Sequence, residues 1–427
     1  MAVGTAGSSS VSVQIERPAS YVLPMALMVS LYFSIGFITA LNDILVPHFK
    51  LLFSLNNVHA LLVQFCFFGA YFVMSLPSGK IVSRIGCKPG IIVALCAMGF
   101  GLLLFVPASI VISYPIFLFA LFVVGSGLAL LQVAINPYVG ALGKPESAAA
   151  RLNLCGGLNS LATTIAPKVG ASFIFIAAGA TAAELARSVR APYLILAAFT
   201  FLVAIVTYFV HLPELIEKPP EGSTDGGSAW QFVHLRFGAV AIFTYVGAEV
   251  AIGSILINFL GQPSMGGLSH AAAAGYVSLY WGGAMGGRFV GAYALIYIRA
   301  ERALTAVAAS ALILVAATIF GHGHVAMWAI VSCGLFNSVM WPCIFPLSLK
   351  GLGRFTGQGS GILVTMIVGG AVIPMVQGWL ADRFGYQPSF IIVLLCYAYL
   401  IYFALSGYKV RQPRYDSLPD YVPPVEV

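Results

Sequence analysis

The residue best suited to reversible proton chemistry in this sequence is Asp43, the one formal charge between Arg17 and Lys50, set in an apolar run from Gly36 to Pro47. An ionised aspartate at the centre of a membrane helix costs roughly 2.5 to 3.5 kcal/mol on insertion scales, so it persists where it lines a polar cavity or does chemistry. Pro47 follows four residues later. A helical proline cannot donate to the carbonyl four residues back, here that of Asp43, so a free acceptor and a titratable acid lie together at a kink. The pattern fits an element that handles a proton and faces a solute. A structural carboxylate that accepts hydrogen bonds at the kink is the alternative reading.

A second set of residues is suited to holding a polar solute without charge. Gln132 stands five residues before Pro137 and Asn337 five before Pro342, so a carboxamide beside a proline recurs in two places. Discontinuous membrane helices of this kind present side-chain and backbone hydrogen bonds near the midplane. Gln132 and Asn136 are four apart and share a helix face. Asn42, Gln64 and Asn159 complete the amides in apolar surroundings. Interhelical hydrogen bonding is the competing role for all six. Glu249 and Arg288 lie inside apolar segments, where neither charge is stable alone. An ion pair, structural or gating, is the preferred reading over direct solute contact.

These residues need helices to carry them. Of 427 residues, 60% are hydrophobic and 8% charged, against about 25% charged in a soluble domain. Runs of about 20 apolar residues predict an all-α membrane protein with helices near 21–46, 58–81, 90–108, 114–142, 152–178, 192–212, 232–260, 271–298, 302–320, 325–349, 357–380 and 388–409. The one clear linker, rich in proline, glycine and acid, falls at 213–231. It separates an N-terminal six-helix bundle (21–212) from a C-terminal one (232–409). Residues 1–20, with no basic start or cleavable apolar core, read as a disordered tail without a signal peptide, and 410–427 as a second tail. Weak echoes, Gly79 to Gly86 against Gly378 to Gly385 and Gly283 to Arg288, suggest three-helix repeats within each half.

Lys and Arg resist translocation. With both termini cytoplasmic, fifteen of them fall in cytoplasmic segments and five (Lys50, Lys168, Arg187, Arg190 and Arg383) in outer ones. The net charge of +7 is then topology, spread over short loops, and nucleic acid is excluded as a partner. Seven cysteines without a CxxC pair read as small apolar packing residues. Gly357-Gln-Gly-Ser-Gly has no preceding strand and no following Lys-Ser/Thr, so it is not a phosphate loop. His322-Gly-His324 is too short for a metal site and reads as a loop. Neither metal nor cofactor is expected, and the absence of a Ser-His-Asp or Cys-His grouping argues against a membrane hydrolase.

The chain resembles the major facilitator superfamily and, within it, the fucose–galactose–proton symporter family, on its glucose/galactose permease branch. The resemblance spans about residues 25–409. It rests on Gly36-Phe-Ile-Thr-Ala-Leu-Asn-Asp-Ile-Leu-Val-Pro-His, Val63-Gln-Phe-Cys-Phe-Phe-Gly-Ala-Tyr-Phe, Leu131-Gln-Val-Ala-Ile-Asn-Pro-Tyr, Tyr280-Trp-Gly-Gly-Ala-Met-Gly-Gly-Arg288 and Gly334-Leu-Phe-Asn337-Ser. It implies a monomeric sugar–proton symporter of the bacterial inner membrane, working by alternating access, with Asp43 as the proton-coupling acid. Two departures bear on this. Gln132 stands where fucose permeases carry a second acid, and Gly156-Gly157 stand where related proteins carry a sugar-binding glutamine, which leaves room beside the site. The first expectation is therefore glucose or galactose, with Trp281, preferred over Tyr280, stacking on the sugar's apolar face. An N-acetylglucosamine or larger-sugar carrier, a uniporter, a sodium-coupled variant, a drug exporter of the same fold and a non-transporting sensor are the alternatives.

Overall fold

The computed structural model describes residues 21–410 apart from 56, 175–180, 213–226 and 266, and the side chains of Asn42, Asp43, Gln64 and Lys168 lie outside the described residues. Both predicted tails and most of the linker fall outside as well. Twelve helical segments follow one another: α1 (Val22–Leu52), α2 (Asn57–Ile85), α3 (Cys87–Leu103, continued by Phe105–Val111), α4 (Tyr114–Ala141), α5 (Ala148–Ile174) and α6 (Ala182–Ser188, then Arg190–Phe209). The second half repeats the count with α7 (Val233–Leu260), α8 (His270–Tyr297), α9 (Ala300–Phe320), α10 (Gly323–Asn337, then Met340–Leu349), α11 (Thr356–Thr365, then Gly369–Phe384) and α12 (Tyr386–Ser389, then Ile391–Tyr402). Several expected boundaries move, among them the end of the second helix, at Ile85 rather than 81, and of the eleventh, at Phe384 rather than 380. The first helix does not stop at 46 but runs through Pro47 to Leu52, and the fifth begins at Ala148 rather than 152. Gly323 opens α10, so His324 is helical and only His322 precedes the helix.

Local chemistry explains the breaks and ends. Pro342 has no N–H for the carbonyl of Ser338, and α10 breaks there with a 40° bend. Ser338 instead uses its hydroxyl, which donates to the Leu335 carbonyl at 2.6 Å. Ser269 caps α8, its hydroxyl accepting from the Ala272 N–H at 3.3 Å, and a Thr181/Glu184 capping box starts α6. Each satisfies an N–H that a helix start leaves unpaired.

Among the described residues nine helices are long and apolar enough to cross a membrane, ten with the bent α10. The two of the twelve that fall short are α5 and α8, whose windows are diluted by glycine and polar residues. Large apolar side chains such as Phe209, Phe119 and Phe100 face outward, as hydrocarbon surroundings allow. The seven cysteines are free, with Cys155, Cys333, Cys343 and Cys396 buried, in keeping with packing roles.

Small residues decide how the two halves meet. A Cβ on Gly361 would lie 2.6 Å from the Ser75 carbonyl, on Gly79 2.8 Å from the Gly357 carbonyl, and on Gly357 2.7 Å from the Ser83 hydroxyl. Serine and glycine at every fourth position of α2 thus face the Gly357-x3-Gly361 start of α11, a small-residue contact that brings backbones together. The Gly-rich run that opens α11 serves packing.

Candidate functional site

The N-terminal half holds a chain of hydroxyls and amides across α1, α2, α4 and α5. The Tyr32 hydroxyl donates to Asn136 Oδ1, Asn159 Nδ2 donates to the Tyr32 carbonyl at 2.9 Å, and Gln132 Nε2 donates to the Tyr71 hydroxyl at 3.0 Å. Gly36 makes this possible. A Cβ there would stand 2.3 Å from the Asn159 carbonyl, so α1 and α5 approach to backbone contact. Asn136 is 2% exposed, and its Nδ2 has no partner among the described residues. A buried amide donor left unmatched costs about 1 to 3 kcal/mol. Asp43 lies eleven residues beyond Tyr32 on α1, about 16 Å further along the helix.

The C-terminal half holds the buried acid. Tyr245, one turn before Glu249, donates its hydroxyl to Glu249 Oε2 at 2.9 Å, and Arg288 of α8 lies 3.9 Å from Glu249 Oε1. The expected pair is present as a long contact. Behind it runs a second chain: the Tyr397 hydroxyl donates to Asn337 Oδ1 at 2.7 Å, Asn337 Nδ2 donates to the Tyr280 hydroxyl at 2.8 Å, and that hydroxyl donates to the Glu249 carbonyl at 2.9 Å. Asn337 ends the first part of α10, so this chain ties the helix break to α7, α8 and α12. Tyr280 is fully buried, whereas Trp281 is 43% exposed and packs its ring edge against Gly253.

Arg288 also crosses between the halves. Its guanidinium donates to the Gly156 carbonyl at 3.3 Å and to the Ser160 hydroxyl, while Asn153 Nδ2 donates back to the Arg288 carbonyl at 2.7 Å. The glycine pair that left room in the sequence faces these groups: a Cβ on Gly156 would touch Arg288 Cδ at 3.6 Å, and one on Gly157 the Phe289 ring at 3.0 Å. Arg288 and Phe289 therefore pack against the glycine pair, more tightly at Gly157 than at Gly156. The Ser360 hydroxyl donates to the Val133 carbonyl at 2.8 Å and ties α11 to α4. Together with the α2–α11 glycine contact, these bonds join the halves at mid-depth and toward the face where α1 begins and α12 ends.

The structure therefore brings Gln132, Asn136 and Asn159 into one cluster and Glu249, Arg288 and Asn337 into another, with Trp281 at its edge. Tyr32, Tyr71, Asn153, Ser160, Tyr245, Ser360 and Tyr397 escaped sequence reasoning. Only Tyr245 carried a usable signal, its four-residue spacing to Glu249. Arg383, expected at a helix end, stacks on Trp379 of its own helix at 5.0 Å. No group of three or more metal-ligating side chains occurs among the described residues.

Comparison with known proteins adds four findings. The family model described as Major Facilitator Superfamily matches residues 28–373. A glucose/galactose transporter of Brucella abortus is 48% identical over 411 residues, covering 96% of this chain and all of that one. The L-fucose-proton symporter of Escherichia coli is 33% identical over 412 residues, covering 90% and 93%. The crystal structure of a transporter of this superfamily, FucP, in the outward conformation superposes with a TM-score of 0.83 at 32% identity, covering 91% of this chain and 99% of that one.

Proposed function

This chain belongs to the Major Facilitator Superfamily, and from that membership we propose that it imports a neutral hexose, glucose or galactose first, together with a proton. The observation that supports this reading most is the 48% identity to a glucose/galactose transporter over the whole of that protein. The kinship is with transporters and not with enzymes.

The two bundles, 21–212 and 232–409, rock about the solute in this proposal. Contacts between α2 and α11, α4 and α11, and α5 and α8 seal the termini face, and they must separate in the opposite state. Gly79, Gly357 and Gly361 make that seam close-fitting, and Arg288 with Asn153 makes it polar at mid-depth. Hydroxyl-rich solutes suit a centre furnished with neutral donors, of which the unpaired Nδ2 of Asn136 is one. Asn42, Gln64, Gln132, Asn159, Asn337 and the exposed ring of Trp281 are the further contacts proposed. Glu249 and Arg288 hold the seam, and Asp43 carries the proton. The chain works as a monomer in the bacterial inner membrane with both termini in the cytoplasm.

Uptake of labelled hexose into proteoliposomes under an imposed pH gradient tests this reading. Accumulation that glucose or galactose competes and that collapses with the gradient is expected. Uptake indifferent to every hexose of a panel that includes fucose would overturn it.

A further inference from the structure

A shallow, open surface depression of about 490 Å³ lies on the termini face between the start of α9 and the end of α12. Its rim carries Arg299, Arg302 and Lys409, and its wall includes Leu405 and Ala306. One acid belongs to it: Glu301, whose Oε1 is 2.5 Å from Arg299. That pairing leaves Arg302 and Lys409 with no carboxylate within 4 Å among the described residues, a surplus of two positive charges. The depth is set by the chain itself, because the candidate spans of α9 and α12 begin at Ala300 and end at Gly407. Arg299 and Lys409 stand just outside these limits, where hydrocarbon gives way to headgroups. The apolar wall lies just within them. Leu405 is 57% exposed and Tyr402, three residues before it on α12, is 44% exposed, so an apolar face of α12 descends from the cationic rim.

We propose that this depression binds the phosphate headgroup of an anionic phospholipid, with the acyl chains lying along α12. A cationic rim over an apolar wall matches an amphiphile, whereas a free anion would leave the wall unused. Basic pockets between membrane helices on the side rich in Lys and Arg suit such headgroups, and each cation near the surface contributes about fivefold in affinity.

The test is lipid retention by the full-length purified protein, read as bound phosphatidylglycerol against phosphatidylcholine by native mass spectrometry. Wild type is expected to retain phosphatidylglycerol preferentially. Arg302→Gln with Lys409→Gln should weaken that retention roughly 25-fold, about fivefold for each cation removed. Glu301→Gln, which frees Arg299, should strengthen it about fivefold. The opposite signs separate binding from damage to the fold, which would lower retention in every variant. Inorganic phosphate at millimolar concentration should leave the bound lipid in place. Displacement by phosphate would point to a free-anion site, and equal retention of both lipids, or changes of one sign in all variants, would also overturn the proposal.

Discussion

The two polar clusters use similar parts in opposite ways. In the C-terminal half the acid is buried beside a counter-charge: Glu249 Oε2 accepts from Tyr245, its backbone carbonyl accepts from Tyr280, and Oε1, which makes no hydrogen bond among the described residues, has Arg288 3.9 Å away. In the N-terminal cluster Tyr32, Tyr71, Gln132, Asn136 and Asn159 are all neutral, and Asn136 Nδ2 has no partner among the described residues. A charge locked among partners stabilises one arrangement. A neutral cluster with spare hydrogen-bonding capacity can exchange partners with a hydroxylated solute. In the proposed function the buried ion pair serves the joint between the bundles, and the amides of α4 and α5 meet the solute together with Asn337 and Trp281.

The largest expected effect lies in the enclosed cluster. Glu249→Gln leaves Arg288 without its acid, and breaking a buried pair costs about 3 to 5 kcal/mol. The double variant Glu249→Gln with Arg288→Gln should recover a substantial part of that loss. Thermal unfolding in detergent compares them, and additive losses would mean the two groups are not partners. A smaller loss is expected from Gly36→Ala, because the new methyl meets the Asn159 carbonyl at 2.3 Å and overpacking costs about 1 to 3 kcal/mol. Gly275→Ala, where a Cβ meets nothing within 4 Å, should leave stability within about 0.5 kcal/mol of wild type, and equal losses at the two positions would discount the close approach of α1 and α5. Of the three disruptive changes the mildest is expected to be Tyr397→Phe. It removes one neutral hydrogen bond to Asn337, about 1 kcal/mol, and should shift melting by a few degrees. An unchanged melting temperature would discount the Tyr397–Asn337 bond.

How much of this was legible depended on how rare each residue is in its surroundings. Glu249 and Arg288 are isolated charges in apolar segments, so their pairing followed from the cost of leaving either alone. The twelve-helix plan followed from apolar runs, even though α5 and α8 are the least apolar of the set. Those two helices meet across the seam, and the α5 glycines Gly156 and Gly157, read as room for a sugar, pack against Arg288 and Phe289 of α8. Sequence spacing shows that a glycine leaves volume, but the element that fills it comes from a helix more than a hundred residues away. Tyrosines were invisible for a similar reason. Tyr32, Tyr280 and Tyr397 look like core aromatics in any apolar helix, and only the packing shows where each hydroxyl points.

The account stands most directly on Asp43, and the measurement that tests it compares accumulation with exchange in Asp43→Asn proteoliposomes. The carboxamide keeps the size and hydrogen bonding of the protonated acid but cannot release a proton. If Asp43 couples the two fluxes, the variant should fail to accumulate labelled hexose under an inward proton gradient, yet still exchange labelled for unlabelled hexose at a rate comparable with wild type. Accumulation by the variant against a hexose gradient, driven by protons, would contradict the account and make Glu249, the buried acid of the C-terminal half, the next candidate for coupling.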